Sequence, residues 1–520
     1  MAIRPRVWAI AAVSAVFLAA SSVPTVALGS TPDSISPRFV PGQVVVGFRN
    51  AATAAKRDRA VAAVHADVAE RLPPLNARLL DLGEGGGVRD AVVALGNRSG
   101  VAYAQPNFIR RAQAIPNDPS FSQLWGLRNT GQTVSGVAGE PNADIDAPEA
   151  WDFETGSSST AVAVVDTGVD YDHADLEDNI WSNPGETPDG TDDDGNGKID
   201  DLLGWDFVDS DNSPLDENGH GTHVAGTIGA QGNNGMGTTG VVWDTSLMSL
   251  RVLDAGGHGT DFDVAAGFVY AAEEGADVVN ASLGGPDPGP LMSDAVTSDP
   301  GTLYVVAAGN DRQDNDSSPE FPCDISAANL ICVAASNQND KLASFSNYGV
   351  SSVDLAAPGT NIYSTYPGTY EFLSGTSMAT PHVTGAAALL FSATPTATVA
   401  NVRSALLGSV DKKDSLTGKL ASGGRLNVDA ALRKILGRVP ETEITDHPRK
   451  RSRDRTPTFS FASGDPTADF ECRIDARDWH HCGSPRSYSL KPKRHRFRVR
   501  AQDPHGTHDA TPARFRFRIR

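Results

Sequence analysis

The sequence contains little of what a redox or zinc protein needs, and its central part has few basic residues. It has 4 cysteines in 520 residues and no Cys-x-x-Cys motif, the spacing typical of thiol redox centres and zinc sites. Between residues 114 and 437, 12 Lys and Arg stand against 46 Asp and Glu. We interpret this segment as a solvated acidic surface, and we expect no nucleic-acid partner. The alternative is that the acidic segment attracts cations and binds the basic parts of the chain that precede and follow it.

The chain also lacks an apolar run long enough to span a membrane. The run from Val7 to Ala20 has about 14 residues, whereas a spanning helix needs about 20. Two arginines precede this run, and small residues follow it, with cleavage expected after Ala27 or Gly29. This pattern is typical of an export signal. We therefore predict a signal peptide over residues 1–29 and a secreted, extracellular protein with no membrane span.

The four cysteines are expected to form two disulfides. Export into an oxidising compartment favours disulfides over free thiols. Four cysteines can pair in three ways. We favour Cys323 with Cys332 and Cys472 with Cys482, because each pair lies within one segment of the chain.

The hydrophobic pattern predicts three folded parts. Residues 38–113 combine strand-like stretches with an Ala-rich helix over Ala51–Glu70, which indicates a small α+β unit. Residues 117–437 alternate strands and helices, which favours an α/β fold with a parallel sheet and helices on both faces. Residues 438–456 are predicted to be a linker. Residues 457–520 alternate apolar with basic residues, which predicts a small β-sandwich. The strands predicted for the α/β part are Ala161–Val165, Leu247–Leu253, Asp277–Ser282, Leu303–Ala307, Ile331–Ala335 and Asp354–Ala357.

The motif Asp166-Thr167-Gly168 follows a run of small and β-branched residues, which places a carboxylate at the end of a buried strand. An aspartic protease needs two such carboxylates sharing one proton, and the chain has no second Asp-Thr/Ser-Gly after an apolar run. Two interpretations of this motif remain open. Either it belongs to a serine hydrolase whose aspartate orients a histidine, or it is an ordinary turn.

Two further motifs supply a histidine and a serine. The stretch His220-Gly-Thr-His-Val-Ala-Gly-Thr227 begins where a loop rich in Gly and Asn runs into a helix. The stretch Gly375-Thr-Ser-Met-Ala-Thr-Pro-His-Val383 places Ser377 at the start of an Ala-rich helix, where free N–H groups and the helix dipole favour a developing negative charge. A histidine can take the serine proton, and a buried aspartate can fix the tautomer of the histidine. The order Asp, His, Ser is one of three known for this arrangement.

Together these three motifs resemble those of the subtilisin-like serine proteases, the subtilases, over residues 117–437. The resemblance implies a secreted serine endopeptidase that works through an acyl-enzyme. It makes Asp166 the orienting group, His220 the general acid–base and Ser377 the nucleophile. Asn310, at the end of the stretch Val305-Val-Ala-Ala-Gly-Asn310, would donate to the oxyanion together with the Ser377 N–H.

The same resemblance predicts the substrate site and the flanking units. Protein or peptide substrates would bind extended, by strand addition, and no charged residue is evident at the pocket base, so we expect a broad or apolar preference. Residues 38–113 resemble a propeptide that assists folding and inhibits the enzyme until it is cut near residues 110–117; the alternative is a permanent adhesive domain. The tail resembles an immunoglobulin-like module. The predicted substrate-binding residues are Gly257, His258, Gly259, Ser282, Leu283, Gly284, Ala307, Ala308 and Gly309.

Two structural calcium sites are predicted. The loop 192–201 carries oxygen ligands at alternating positions around a turn glycine, like a calcium loop, although Leu203 stands where an EF-hand has a bidentate Glu. The second site depends on the resemblance alone and includes carbonyl groups of residues 232–238. The predicted side-chain ligands are Asp192, Asp194, Asn196 and Asp200 for the first site, and Asp118, Asp175 and Asn234 for the second.

The alternative function is a catalytically silent surface-binding protein on a protease scaffold, tethered by its basic tail. A decayed enzyme should have lost at least one of the four catalytic residues, and all four are present. The basic face of the tail has two candidate partners, a cell-surface polyanion and the acidic segment of the chain itself. His223 and His382, which lie within the motifs, are expected to pack rather than to bind metal.

Overall fold

The computed structural model describes residues 39–49, 51–83, 88–96, 98–108, 114–287, 289–437, 442–463, 468–475, 477–502, 509 and 512–520. The predicted signal peptide, and residues 110–113 of the predicted cleavage region, lie outside these ranges. Within them, no helix has both the length and the apolar character needed to cross a membrane. The chain divides into two compact units, residues 1–110 and residues 111–520.

The first unit is a four-stranded antiparallel sheet, in the order β2-β3-β1-β4, with two helices. Its elements are β1 (Phe39–Phe48), α1 (Ala54–Ala62), β2 (Asp67–Leu72), a 3₁₀ turn (Pro73–Leu75), β3 (Ala77–Asp81), α2 (Val88–Gly96) and β4 (Val101–Phe108). The helix predicted over Ala51–Glu70 is too long, and β3 was not predicted. Helix α1 ends at Ala62, because His65 takes a left-handed backbone conformation (φ 51°) and the chain then pairs with β3 as β2.

The second unit is built on a nine-stranded sheet in the order β16-β17-β13-β12-β11-β10-β7-β9-β8. All neighbours in it are parallel except the edge pair β16–β17. The strands from residue 114 to residue 437 are β5 (Thr133–Val134), β6 (Val137–Ala138), β7 (Gly156–Asp166), β8 (Gly204–Asp206), β9 (Asp244–Arg251), β10 (Val278–Ala281), β11 (Leu303–Ala307), β12 (Leu330–Ser336), β13 (Leu355–Pro358), β14 (Ile362–Tyr366), β15 (Thr369–Leu373), β16 (Asp411–Lys412) and β17 (Gly424–Arg425). The helices are α3 (Ala147–Trp151), α4 (His220–Gly229), α5 (Asp261–Glu273), α6 (Pro290–Ser298), α7 (Thr376–Ala393), α8 (Val399–Leu407) and α9 (Val428–Ile435).

Helices cover both faces of this sheet, as predicted. Every residue of β11 and β12 is buried, which is the pattern of a parallel sheet covered on two sides. Successive residues of β7 enter two different cores: Val162 and Val164 pack on one face, and Ala163 and Val165 pack on the other. The carboxyl ends of neighbouring parallel strands share one edge, so the residues that follow β7, β10 and β11 come together there.

The C-terminal region forms a β module of two sheets around one core. Phe459 and Phe461 come from the three-stranded sheet, and Phe497 and Ile519 from the five-stranded sheet. The predicted linker 438–456 is too long, because two strands of the module lie within it, each paired with a later strand of the same module. The strands are β18 (Thr442–Asp446), β19 (Arg451–Ser452), β20 (Thr458–Ser463), β21 (Asp469–Ile474), β22 (His480–His481), β23 (Arg486–Ser487), β24 (Arg494–Gln502) and β25 (Ala513–Ile519).

Two disulfides close short loops in this second unit. Cys323 is bonded to Cys332 in β12, and Cys472 in β21 is bonded to Cys482. These are the two pairings that the sequence favoured. The first bond ties the segment before β12 to the central sheet, close to the edge where the candidate site lies.

Candidate active site

Asp166 is the last residue of β7, and its side chain is completely buried. Its Oδ1 accepts hydrogen bonds from the Thr167 N–H (2.8 Å) and from His220 Nδ1 (2.7 Å). A buried carboxylate bonded to one ring nitrogen fixes the tautomer and the orientation of the imidazole. Nε2 of His220 is thereby left as the nitrogen able to accept a proton.

His220 is the first residue of α4, and this helix approaches the end of β7 closely because Gly221 has no side chain. A Cβ on Gly221 would lie 2.1 Å from the Gly168 carbonyl oxygen and 3.1 Å from Asp166 Cβ. Burial disfavours the charged imidazolium of His220, but the charge and hydrogen bond of Asp166 and the charge of Asp216 outweigh it, so the pKa of His220 is raised. The imidazole is therefore a stronger base than a histidine free in solution.

Asp216 holds the start of α4 and was missed by the sequence analysis. The carboxylate is buried, and one of its oxygens accepts bonds from the backbone of Asn218 and Gly219 and from Thr167 Oγ1, while the other accepts from Thr222. The only sequence signal was an acidic residue four positions before His220 in a loop rich in Gly and Asn. Such loops contain many solvent-exposed acids, so that signal was weak.

Ser377 is the second residue of α7, and its hydroxyl is turned toward the neighbouring strand end. Its Oγ donates to the Ser282 carbonyl oxygen (3.1 Å), and Ser282 Oγ donates in return to the Ser377 carbonyl oxygen (2.9 Å). No hydrogen bond joins Ser377 Oγ to His220 within the described ranges. Catalytic hydrogen bonds are often unformed in structures without substrate, and rotation about a single side-chain bond changes the direction of a serine hydroxyl.

A buried network connects Ser377 to the centre of the sheet. Asn280 in β10 is fully buried; its Nδ2 donates to Ser282 Oγ (2.9 Å), and its Oδ1 accepts from Thr384 Oγ1 (2.8 Å) in α7. Strand β10 and helix α7 are therefore joined by side-chain hydrogen bonds next to Ser377. A network whose members are all satisfied rigidifies the elements that it connects.

Asn310 follows β11, and one half of its side-chain amide is anchored. Its Oδ1 accepts from the Thr376 N–H (2.8 Å) and from Thr376 Oγ1 (3.1 Å). Its Nδ2 lies on the side of Gly375, since a Cβ built on Gly375 would be 3.8 Å from this nitrogen. Buried Asn347 supports the same loop by accepting bonds from the backbone N–H groups of Asp311 and Gln313. Asn347 was also missed, and no local sequence signal marks it.

Two of the three predicted substrate-binding segments, residues 257–259 and 282–284, line a cleft of about 530 Å³ that also includes His220 and Phe321. The third predicted segment, 307–309, ends β11 and reaches the start of α7, where the Gly309 N–H donates to Thr376 Oγ1 (3.2 Å). The three segments that the sequence analysis selected therefore border one site.

The acidic loop 192–201 contributes to two groups of carboxylates. In one group Asp194 meets Asp201 and Glu274, and in the other it meets Glu186 and Asp192, with the facing oxygens within 4.8 Å of one another. Asp200 belongs to neither group, which departs from the prediction. Its backbone is left-handed (φ 53°), and its carboxylate instead accepts the N–H groups of Asp189 and Gly190.

The donor set of the first group fits a calcium ion. Asn196 Nδ2, which carries two hydrogens, lies within hydrogen-bond distance of all three carboxylates: Asp194 (3.2 Å), Asp201 (2.9 Å) and Glu274 (3.1 Å). Burial and the charges of Asp194 and Asp201 raise the pKa of Glu274, although the Asn196 hydrogen bond opposes them. Three carboxylates around one neutral amide leave a negative charge that a cation preferring oxygen ligands would neutralise. Glu186, Asp201 and Glu274 were missed. Asp201 is the last residue of the loop itself, whereas folding brings Glu186 and Glu274 to the loop from outside it.

The second predicted calcium site is also assembled. Asp118 accepts the N–H groups of Asn233 (2.8 Å) and Asn234 (3.2 Å), and Asn234 Nδ2 donates to Asp175 Oδ1 (2.9 Å). Both aspartates are buried, and burial together with the charge of Asp175 raises the pKa of Asp118 despite the two backbone bonds. The predicted ligands are thus neighbours in the fold.

His223 and His382 are buried and bonded to backbone carbonyl groups rather than to acidic clusters. The Nε2 atom of His223 lies 3.0 Å from the Ile362 carbonyl oxygen, and Nδ1 of His382 lies 2.9 Å from that of Met378. Burial lowers the pKa of each to about 4. Both are therefore neutral packing residues at neutral pH.

Comparison with known proteins identifies relatives over most of the chain. A profile of the subtilase family matches residues 157–430, and a profile of the fervidolysin N-terminal prodomain matches residues 29–107. A thermophilic serine proteinase from Bacillus sp. (strain AK1) is 38% identical over 75% of this chain and 86% of its own length. Thermitase from Thermoactinomyces vulgaris is 42% identical over 61% of this chain and 99% of its own length. The solved structure of a protease from Pseudoalteromonas arctica superposes with a TM-score of 0.50 and 30% identity, covering 62% of this chain and 99% of that chain.

Proposed function

The chain belongs to the subtilase family and is a serine endopeptidase, and we propose that it hydrolyses proteins with Asp166, His220 and Ser377 as its catalytic groups. The observation that carries this assignment is the 2.7 Å bond between Asp166 and His220 Nδ1. This hydrogen bond lies at one edge of the sheet. Helix α7 begins at the same edge, and Ser377 is in its first turn.

The reaction begins when the Ser377 hydroxyl turns from the Ser282 carbonyl group to His220 Nε2. The imidazole takes the hydroxyl proton as Oγ attacks the peptide carbonyl, and Asp166 stabilises the resulting imidazolium. Asn310 Nδ2 and the Ser377 N–H donate to the oxyanion. His220 then returns its proton to the leaving amine, and water hydrolyses the acyl-enzyme by the same steps.

The decisive experiment compares the full-length wild type with Ser377→Ala. The wild type should be labelled by a fluorophosphonate probe, digest casein and lose its N-terminal unit, whereas the variant should do none of these. Ser351→Ala, at an exposed serine, is the matched control and should behave as the wild type. Wild-type protein that is neither labelled nor cleaved would favour the alternative, a silent surface-binding protein.

The export signal and the inhibitory role of the first unit belong to the same proposal. The match of the prodomain profile to residues 29–107 supports a propeptide that is removed after secretion. Self-cleavage predicts that Ser377→Ala remains full length alone and is shortened when active wild type is added. A variant that matures without added enzyme would exclude self-cleavage.

Calcium is proposed as a structural cofactor at the two acidic sites. Asp194, Asp201 and Glu274 would hold one ion, and Asp118 and Asp175 with the loop 232–238 would hold the other. Asn196 was predicted as a ligand, but its Oδ1 accepts the Lys198 N–H and only its Nδ2 faces the carboxylates. Bound calcium would supply charge neutralisation that ties the loops to the sheet; the catalytic steps do not require it.

Substrate would lie extended in the cleft between residues 257–259 and 282–284. Backbone pairing gives affinity in this mode, and pockets for alternate side chains give specificity. The expected broad or apolar preference rested on the absence of an evident charge at the pocket. That reasoning overlooked Glu320, which is far from these segments in sequence but lies next to Gly284.

A polyanion is proposed as the partner of the C-terminal module. What supports it is a face of paired arginines, where Arg494, Arg496 and Arg498 of β24 lie directly opposite Arg518, Arg516 and Arg514 of β25. None of the six has an acidic partner at ion-pair distance within the described ranges. Like charges directly opposite each other destabilise a sheet, so an anionic ligand would relieve the repulsion. Five of these arginines, all but Arg514, border a groove of about 750 Å³ that also includes Lys450, Arg451 and one acid, Asp475.

A further inference from the structure

Glu320 occupies the space left by two glycines at the candidate substrate site. A Cβ on Gly284 would lie 2.8 Å from Glu320 Oε1, and a Cβ on Gly309 would lie 3.3 Å from Glu320 Cγ. The glutamate side chain therefore runs between the segment 282–284 and the segment 307–309. A side chain at Gly284 would displace the Glu320 carboxylate, and one at Gly309 would crowd Glu320 Cγ and collide with Asn347 Nδ2, 2.4 Å from the Cβ position.

Both of these segments are bonded to the start of α7. Ser282 exchanges hydrogen bonds with Ser377 in both directions, and the Gly309 N–H donates to the side chain of Thr376. The Glu320 carboxylate thus lies beside the point where a substrate side chain next to the reacting carbonyl group would enter.

The backbone that carries Glu320 is fixed on both sides. Phe321 pairs with Gly285 through two backbone hydrogen bonds of 2.8 and 2.9 Å. These bonds join the Glu320 segment to the cleft segment 282–284. The Glu320 N–H donates to Asp324 Oδ2 (2.7 Å). The disulfide from Cys323 to β12 holds the same segment to the sheet. A side chain on so constrained a backbone is preorganised for binding.

No cation of the described chain neutralises this carboxylate. Glu320 is half-buried, and no lysine or arginine lies at ion-pair distance from it in the described ranges. Burial first, and then the charges of Asp311 and Asp324, raise its pKa. A positively charged substrate group placed here would relieve the repulsion among the three acids and stabilise the ionised carboxylate.

We propose that Glu320 makes this enzyme prefer lysine or arginine at the substrate position immediately before the scissile bond. The inference rests on the proposed function, because it assumes that Ser377 attacks the carbonyl group of the residue whose side chain meets Glu320. A guanidinium or ammonium group would pair with Oε1, and arginine could do so with two parallel hydrogen bonds. The preference would replace the broad or apolar one expected from the sequence.

The test uses matched peptide anilides, succinyl-Ala-Ala-Pro-Xaa-p-nitroanilide, in which Xaa is Lys, Arg, Phe or Leu. The mature wild type, Glu320→Gln and Glu320→Asp are compared. Fluorophosphonate labelling gives the concentration of active sites, so that misfolded protein is not counted when kcat is calculated. Asp244→Asn is the control, since Asp244 is exposed at the start of β9, on the opposite edge of the sheet.

In the wild type, kcat/KM should be higher for Lys and Arg than for Phe and Leu. Glu320→Gln should reduce the ratio of kcat/KM for Lys to that for Phe by about tenfold or more, the size of effect seen for close charge pairs. Its kcat/KM for the Phe substrate should stay within about twofold of the wild-type value. Glu320→Asp should retain part of the preference, and Asp244→Asn should retain all of it.

Two results would overturn the inference while leaving the peptidase intact. One is a wild type that is labelled and active but cleaves after Phe or Leu better than after Lys or Arg. The other is a Lys-to-Phe ratio that Glu320→Gln does not change. If Glu320→Gln is not labelled, the wild-type ratio and Glu320→Asp decide. A wild type that is neither labelled nor active on any of the four substrates would instead refute the proposed function.

Discussion

Individual residues at the candidate site divide into groups that react and groups that hold them in place. Asn310, the proposed oxyanion donor, is itself held in place, because Thr376 anchors its Oδ1 while its Nδ2 remains on the side of Gly375. A donor that is already positioned needs no reorganisation when the oxyanion forms. The contribution of Asn310 should therefore appear in the transition state and not in substrate binding.

Asn310→Ala should lower kcat by about 10²–10³-fold and change KM little, the range found for loss of one such donor in a subtilisin. Steady-state kinetics on a peptide anilide measures both constants. Asn212→Ala, at an exposed asparagine, serves as the control. A rise in KM with unchanged kcat would show that Asn310 binds the ground state and does not stabilise the oxyanion.

Asp216→Asn should shift the acid limb of kcat/KM to lower pH. The negative charge of Asp216 contributes to the raised pKa of His220, so its removal lowers that pKa and leaves more neutral imidazole in acid. A pH profile measures the shift. Asp211→Asn, which removes an exposed charge from the same loop, is the control, and a limb that moves equally in both variants would contradict a specific role for Asp216.

The same substitution should also reduce stability, because an amide cannot accept all the bonds that the Asp216 carboxylate accepts. We expect a loss of about 1–3 kcal/mol in the free energy of unfolding, the cost of leaving buried donors unsatisfied. Denaturant unfolding measures it, and unchanged stability would show that α4 does not depend on this carboxylate.

At the scale of elements, the strands were predictable wherever burial alone determines the residue type. Strand β11 was predicted with its observed bounds, Leu303–Ala307, and β12 was one residue short at each end. Both are continuous apolar runs, which is the pattern of a strand covered on two faces. Strand β2 was instead predicted as the end of a helix, because its pattern is mostly exposed and its pairing with β3 is not visible locally.

The acidic loop 192–201 is tied to α5 through the Asn196 bond to Glu274 at the end of that helix. A bound ion would thus connect a loop to an element of the sheet scaffold. Ligand binding to the native state stabilises it by about 2.7 kcal/mol when the free concentration is 100 times Kd. The loop alone, without Glu274, would provide fewer ligands.

Removal of calcium with EGTA should therefore lower Tm, and added calcium should restore it. Glu274→Gln should reduce the part of Tm that responds to calcium, whereas Glu273→Gln, the adjacent exposed acid, should leave it unchanged. Differential scanning calorimetry of inactive Ser377→Ala forms avoids self-digestion. Equal Tm values with and without EGTA would refute both calcium sites.

For the whole molecule, the main feature is the separation of charge along the chain. The segment 114–437 has 46 acidic against 12 basic residues, while the C-terminal module carries the arginine face. The net charge of −20 conceals this division. The polyanion proposed as partner of the C-terminal module would attract this cationic face and repel the acidic segment.

The triple variant Arg496→Gln, Arg498→Gln, Arg516→Gln should elute from a heparin column at lower salt than the wild type. Phosphate or sulfate contacts release counterions, so each lost contact reduces the salt dependence of binding. The control replaces the exposed cations Arg128, Lys341 and Lys419 with Gln, which lowers the net charge equally. If both triple variants elute together, net charge and not the arginine face governs retention.

The sequence by itself determined the family, the order of the proposed catalytic residues and the parallel sheet. Each of these is encoded locally: the motifs around Asp166, His220 and Ser377 are contiguous, and buried strands carry their own pattern. The resemblance also supplied Asn310 and the cleft segments, which the structure brings to one site.

Only the tertiary structure decided which distant residues complete the sites. Glu320 reaches the pocket because Phe321 pairs with Gly285, and Glu274 reaches the acidic loop from the end of a helix. The module begins before the predicted linker ends, because β18 pairs with β20. These contacts join residues far apart in the chain. Acidic and polar side chains are common at protein surfaces, where most of them have no specific function. Neither composition nor periodicity distinguishes them until folding has placed their partners.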